Sequence, residues 1–408
     1  MKRTLVVLAV AGAFLAPAAA MADGSGIVLT GVVHGGLNMG EEKDVNGKKV
    51  YERQSNIGSF ATRWEIDGTE DLGWSQVIFG LTVDHQFSGA GRGGSGGIRN
   101  NNQVSETSLS NRNSFLGLTG GWGTVKIGQN EHQYEIQQII QDPDPASENT
   151  FATLSFMTNY GIAGLPGFTR RDPQSIWYTS PNFGGVTVDV AYITPAGGKK
   201  GGTVTPAGQS CPQIGTDING NPVFGLIGCT PFASTTSSNV NPSGVQLAAN
   251  WKSPFGLSLY GAFAQYNDEG GSDNKNQAVR LGVGYGMELF QVDAAAEQLE
   301  FKDNDGAFLN APGDKLKRTN FMVSGTLNLG QHHIRAAVNM AQKAKFNGTT
   351  VNDSGANMFL VGYAYTLSKR TELQVNYGRV DNKANASYNV SGAGNDANKF
   401  DVGIRHSF

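Results

Sequence analysis

The residues that could do chemistry are charged and fall in two places. The connection from Asn130 to Pro173 is far longer than a hairpin needs and carries Glu131, Glu135, Asp142, Asp144 and Glu148; connections of that length are usually functional. Upstream, parity nominates Arg63. Read as an extended chain, Phe60, Thr62, Trp64 and Ile66 share one face, while Ala61, Arg63 and Glu65 share the other. Arg112 likewise has Phe115 on its opposite face. Acids and arginines on facing walls of a narrow aqueous gap would create a transverse field that orients dipolar solutes and sorts ions.

Other candidates carry less. Gly89–Gly97 is glycine-rich but lacks the Gly-Lys-Ser/Thr ending of a phosphate-cradling loop. His332 and His333 are adjacent in a strand and face opposite ways, which argues against a shared metal. Asp303-Asn304-Asp305-Gly306 hints at calcium but breaks the EF-hand spacing. No His/Ser/acid set has hydrolase spacing, and no cofactor or metal is expected.

The elements that must position these charges show period-two alternation. Val186, Val188, Val190 and Tyr192 oppose Thr187, Asp189 and Ala191; Val279, Leu281, Val283 and Tyr285 oppose Arg280, Gly282 and Gly284. Sixteen such segments begin near residues 27, 56, 74, 108, 122, 174, 185, 243, 256, 277, 289, 318, 332, 355, 370 and 399. Seven connections are short and eight long, in alternation. That pattern predicts an all-β fold, a 16-stranded antiparallel transmembrane barrel with both chain ends on the short-turn side. A barrel of this size leaves an aqueous lumen, so polar inward faces should line water. A soluble sandwich has no reason to gather its long loops on one side.

Residues 1–22 read as a cleaved signal peptide: Lys2 and Arg3, an apolar stretch from Leu5 to Leu15, then Ala20-Met21-Ala22. The barrel would then occupy 23–408. Without Lys2 and Arg3 the 31 basic residues become 29 against 34 acidic, a formal charge of −5, too mild to suggest a nucleic-acid partner. Cys211 and Cys229 share one Gly/Pro-rich stretch of an exported chain and are expected to pair.

Several stretches together carry a resemblance: TRWEIDGTEDLG (62–73), NRNSFLGLTGGWGTVKIGQ (111–129), SIWYTSPNFGGVTV (175–188), AYTLSKRTELQVNYGRV (364–380) and VGIRHSF (402–408). The sequence resembles the trimeric general porins of Gram-negative bacteria, most closely the β-proteobacterial type. That resemblance implies an outer membrane protein, assembled with two further copies of itself as a homotrimer, that passes ions and small hydrophilic solutes. It implies that the 130–173 loop folds inward as a constriction facing arginines. Arg112 matches the family's arginine before its aromatic/aliphatic-Gly-Leu segment, and Arg171 the one before its Asn-Ser-Val-x-Tyr strand. Asp67 stands where many relatives have a second arginine, against strong anion selectivity. Asp401, Gly403, His406 and Phe408 match the family's assembly signal, read by the outer-membrane insertion machinery, with His406 in place of an aromatic. Two other functions stay open: a substrate-selective channel with a saturable site, and a surface receptor or adhesin mounted on the barrel.

Overall fold

The computed structural model describes residues 25–59, 62–84, 112–131, 134, 153–162, 165–168, 171–195, 209–210, 213–216, 222–224, 230–231, 243–268, 273–306, 309 and 311–408. Sixteen strands form the wall. They are β1 (Gly26–Lys43), β2 in two pieces (Lys49–Ser59 and Arg63–Asp71), β3 (Gln76–Asp84), β4 (Ser114–Gly120), β5 (Gly123–Glu131) and β6 (Arg171–Thr179). Then follow β7 (Val186–Ile193), β8 (Ser243–Lys252), β9 (Leu257–Asn267), β10 (Lys275–Gly286) and β11 (Phe290–Asp303). The last are β12 (Asp314–Leu329), β13 (His332–Ala341), β14 (Ala356–Ser368), β15 (Thr371–Asn382) and β16 (Asp396–Ser407). Each pairs antiparallel with the next, and β16 returns to β1 from Val32 opposite Ser407 to Lys43 opposite Asp396. The sheet is therefore a closed barrel.

The period-two alternation selects the faces. On β7 Val188 is 38% exposed while Asp189 next to it is 4% exposed; β-branched residues suit such a pleated, one-sided surface. Leu281, Val292, Val323, Phe359, Val375 and Ile404 continue the outward apolar wall. The connections 72–75, 121–122, 180–185, 253–256, 287–289, 330–331 and 369–370 close one end. In 330–331, one of three two-residue connections, Gly330 takes a φ of +68°, which a two-residue hairpin turn favours.

Two expectations need correction. The first external connection is only 44–48, because β1 and β2 run on as a paired ribbon with Glu42 opposite Tyr51 and Lys43 opposite Lys49. Thr62 does not point to lipid. Gly35 pairs with Ser59 and Val32 with Arg63, so β2 carries one extra residue there, a bulge. Thr62 turns into it: its hydroxyl accepts from the His34 amide and donates to the His34 carbonyl, each at 3.0 Å. Beyond the bulge, Arg63 lies opposite buried Val32 and faces inward, as parity required.

In the third connection the described residues include one short helix, α1 (Thr153–Met157). Tyr134, Tyr160, Ile162 and Phe168 of that connection pack with Ala248, Ala262, Ala264, Tyr266, Leu299 and Leu316 of the wall. Phe156 packs with Ala337, Met358, Val380 and Tyr388. The core therefore sits inside the barrel, against β8–β15, where small inward alanines leave room for it. The inner face here mixes these apolar residues with buried polar ones such as Gln246, Asn276, Arg280, Glu297, Asn320 and Asn339, and the packed connection rather than an open lumen covers it. Cys211 and Cys229 lie outside the described residues; the short strands beside them, Gln209–Ser210 and Thr230–Pro231, pair antiparallel with Ser210 opposite Thr230.

The β1–β16 seam is tight at Gly36, where an added Cβ would come within 2.2 Å of the Val402 carbonyl oxygen. Gly36→Val is expected to cost about 1–3 kcal/mol, as overpacked sites do, and to lower the urea midpoint of the protein in detergent micelles. An unchanged midpoint would mean that the seam tolerates a side chain there.

Candidate functional site

The three arginines expected to line a passage come together on one wall. Arg63 stands opposite Asp84 in register and donates from Nε to Glu65 Oε1 at 2.9 Å. Arg112, just before β4, donates from Nη1 to both Asp84 oxygens at 2.9 and 3.2 Å and from Nη2 to Glu131 Oε1 at 3.1 Å. The Arg171 guanidinium contacts the same Glu131 oxygen. A planar guanidinium can bridge two carboxylates in this way, which an ammonium does poorly. The wall is only partly sealed, with the Arg112 side chain 9% exposed and that of Arg63 25%.

Glu131 is thus not a loop acid across a gap from the arginines. β5 continues to it, because Asn130 pairs with Asp172 and Glu131 with Arg171, and the Asn113 side chain takes the Glu131 amide at 2.8 Å. Within this cluster three arginines meet three carboxylates. Glu135, Asp142, Asp144 and Glu148 lie outside the described residues.

On the opposite wall, side chains of the strands seize the third connection. Arg280, Glu297 and Asn320 are register neighbours across β10, β11 and β12. Tyr134 donates to Glu297 Oε2 at 2.6 Å, Arg280 donates from Nη1 to the Tyr134 carbonyl at 2.7 Å, and the Arg280 guanidinium pairs with Glu297 while lying over the Tyr134 ring. Farther along, Asn320 Nδ2 donates to the Met157 carbonyl at 2.6 Å and Arg318 Nε to the Tyr160 carbonyl at 2.9 Å. Arg318 also donates from Nη1 to the carbonyls of Gln342 and Ser354.

The last external connection braces the same segment. Tyr388 stacks on Phe156 with ring centroids 4.3 Å apart and donates to the Asn159 carbonyl at 3.1 Å; the Ser387 amide donates to the Gly161 carbonyl at 2.9 Å. Gly161 has a φ of +63°, and a Cβ there would lie 2.0 Å from the Tyr388 ring. Burial pushes Tyr134 and Tyr160 well above the ordinary phenol range, with the Glu297 carboxylate adding to it, and pushes Tyr388 up to about 12. All three stay protonated, hence donors, at ordinary pH.

Sequence reasoning nominated Arg63, Arg112 and Arg171, which the structure brings together, but did not single out the anchors Arg280, Glu297, Arg318, Asn320 and Tyr388. Parity places Arg280 and Glu297 inward; nothing in the pattern says that a loop arrives to meet them. Of the residues expected to form an assembly signal, Asp401 is fully buried and accepts from Asn376 Nδ2 at 3.1 Å, and a Cβ on Gly403 would lie 3.0 Å from His34 Nε2. His406 points outward, its Nδ1 2.8 Å from the Thr371 hydroxyl, and the Phe408 ring covers Gly31. Among the described residues no group of three or more His, Cys, Asp or Glu could hold a metal. His332 meets Tyr363 and His333 meets Thr366, on opposite faces, and Asp303 Oδ1 caps the Gly306 amide at 3.0 Å.

Comparison with known proteins agrees with this geometry. A family model described as Gram-negative porin matches residues 4–385. The major outer membrane protein P.IB of Neisseria sicca is 25% identical over 429 residues, covering all of both chains. Outer membrane porin protein 32 of Delftia acidovorans is 25% identical, again over the full length of both. Among solved structures, the anion-selective porin from Comamonas acidovorans superposes with a TM-score of 0.65 at 21% identity, covering 94% of this chain and all of the other.

Glu297→Gln would leave Arg280 buried without its carboxylate. Breaking one partner of a buried pair is expected to cost about 3–5 kcal/mol, read as a lowered urea midpoint in micelles. An Arg280→Met/Glu297→Leu double variant should recover most of that loss, whereas equal losses in both would show that the pair itself is not what matters.

Proposed function

Because the chain belongs to the Gram-negative porin family, we propose that its barrel is crossed by diffusion, with Arg63, Arg112 and Arg171 beside the path and the 130–173 connection narrowing it. The protein is an outer membrane porin, a channel of the bacterial outer membrane. Its relatives are channels rather than enzymes. The solutes are small, hydrophilic or ionic. The functional unit is three copies of the chain, each with its own passage.

The observation that carries the finer reading is the matched charge on the β2–β6 wall. Arg63 is paired with Glu65, Arg112 with Asp84 and Glu131, and Arg171 with Glu131. Such a wall offers solutes local dipoles and little net charge, so it favours weak ion selectivity over the strong anion preference of free arginines. Tight binding is not supported, since a solute held firmly leaves slowly. Single-channel conductance rising linearly with salt concentration is expected; saturation at low concentration would instead favour a specific binding site.

Glu131→Gln removes the carboxylate shared by Arg112 and Arg171. One unit of charge about 6 Å from an ion in water changes its energy by about 0.7 kcal/mol, or about threefold in local concentration. Reversal potentials in a planar bilayer under a salt gradient should therefore move toward anions by about that factor in permeability ratio. Arg63→Glu should move them toward cations. If neither substitution shifts the potential, these residues do not line the path.

A further inference from the structure

On the outward wall of β10–β12, at the end of the long connections, Lys275 stands opposite Lys302 and Lys302 opposite Lys315. Side chains directly opposed on neighbouring strands have Cβ atoms about 4.5–5.5 Å apart, and like charges there are destabilising. Two residues along, Lys317 faces Lys345 of the short strand Lys345–Phe346 and pairs with Glu300 at 2.6 Å. Five lysines thus share one patch with one carboxylate of the same wall. Asp303 faces inward, and among the described residues no carboxylate pairs with Lys275, Lys302 or Lys315.

Two other sets of outward cations on strands at this end are treated differently. Lys43 and Lys49, also register partners, share Glu41 at 3.0 and 3.4 Å. Arg379 donates from Nε to Asp381 at 2.7 Å. The lysine row lacks any such neutraliser from its own wall. Its parity is that of Val279, Leu281, Val292 and Val323, all exposed on the apolar outer face. Between the row and that apolar band lie the polar Gln277, Gln298, Glu300 and Thr319. This succession, cationic row, polar step, apolar wall, matches headgroup, interface and acyl chains.

We propose that Lys275, Lys302 and Lys315, flanked by Lys317 and Lys345, form a docking site for a phosphate-bearing lipid headgroup of the outer leaflet. The site rests on the reading of this wall as lipid-facing. A phosphate among the ammonium groups relieves the repulsion that the register imposes, and the acyl chains of the same molecule continue down the Val279–Val323 surface. A free phosphate ion would satisfy the charge but make no use of that apolar continuation.

The test is native mass spectrometry of the full-length protein released from detergent micelles, with dioleoyl phosphatidic acid or dioleoyl phosphatidylcholine added at equal concentration. Wild type should retain phosphatidic acid preferentially. The Lys275→Gln/Lys302→Gln/Lys315→Gln variant should retain it at least about tenfold less, since basic groups near an anionic surface act roughly additively. The corresponding triple arginine variant and Lys43→Gln/Lys49→Gln should behave as wild type. Phosphatidylcholine retained equally by all of them shows that lipid contact itself is intact. Equal phosphatidic acid retention by wild type and the triple glutamine variant overturns the proposal. So does release of the adduct by added inorganic phosphate, which would assign the patch to a free anion. Should the triple variant fail to fold, Lys302→Gln alone, in the centre of the row, is read the same way with about a threefold drop.

Discussion

Every backbone amide and carbonyl that lies in hydrocarbon must find a partner within the protein. Here the whole structure depends on meeting that demand at one seam, between β1 and β16. A chain with an even number of strands and short turns at one end brings its first and last strands side by side with antiparallel polarity, so the demand can be met without a crossover. The seam is made close by glycine on both sides. Gly36 leaves space for the Val402 carbonyl, and Gly403 for the His34 ring and Gly35 carbonyl. Phe408 then covers Gly31, exchanging amide and carbonyl bonds with it at 3.1 and 3.2 Å.

Closure fixes an inside, and the two halves of that inside are furnished differently. The β2–β6 half keeps charge in reach of water as a linked set of arginines and carboxylates. The β8–β15 half carries alanine at inward positions and receives the third connection as a core. Desolvating the Arg280–Glu297 pair is costly, and a buried pair is tolerable only when its remaining donors and acceptors are used. Tyr134 supplies both a hydroxyl to Glu297 and a carbonyl to Arg280, so the loop that buries the pair also completes it.

The wall was legible in the sequence because a single rule, alternation every second residue, decides both face and strand. Fourteen of the sixteen strands begin within four residues of where the alternation put them, while β2 begins at Lys49 rather than near 56 and β4 at Ser114 rather than near 108; Arg63 faces inward as parity required. What escaped were features that depend on one residue more or less. The bulge that turns Thr62 inward inserts one position into β2, and the extension of β5 moves Glu131 from loop to wall. The anchoring residues escaped for another reason. Arg318 and Asn320 differ in no local way from any inward polar residue; their role comes from a segment 158 to 163 positions away.

How those anchors hold the third connection bears on what the connection is free to become. Arg318, Asn320, Tyr388 and the Ser387 amide all address main-chain carbonyls, those of Met157, Asn159, Tyr160 and Gly161. Main-chain carbonyls outside a regular ladder need partners when buried, and the wall supplies them whatever side chains the segment carries. Some positions are nonetheless constrained by type: Gly161 through its positive φ and the Tyr388 ring pressed against it, Phe156 through its stack on that ring, and buried Tyr160 through the hydrogen bond that its hydroxyl donates to Asn276 Oδ1 at 2.6 Å. The position of the segment is therefore set twice, by wall groups that take its carbonyls and by its own buried side chains, Phe156 and Tyr160 among them. Loop chemistry can then change without moving the loop only at positions outside this anchored set.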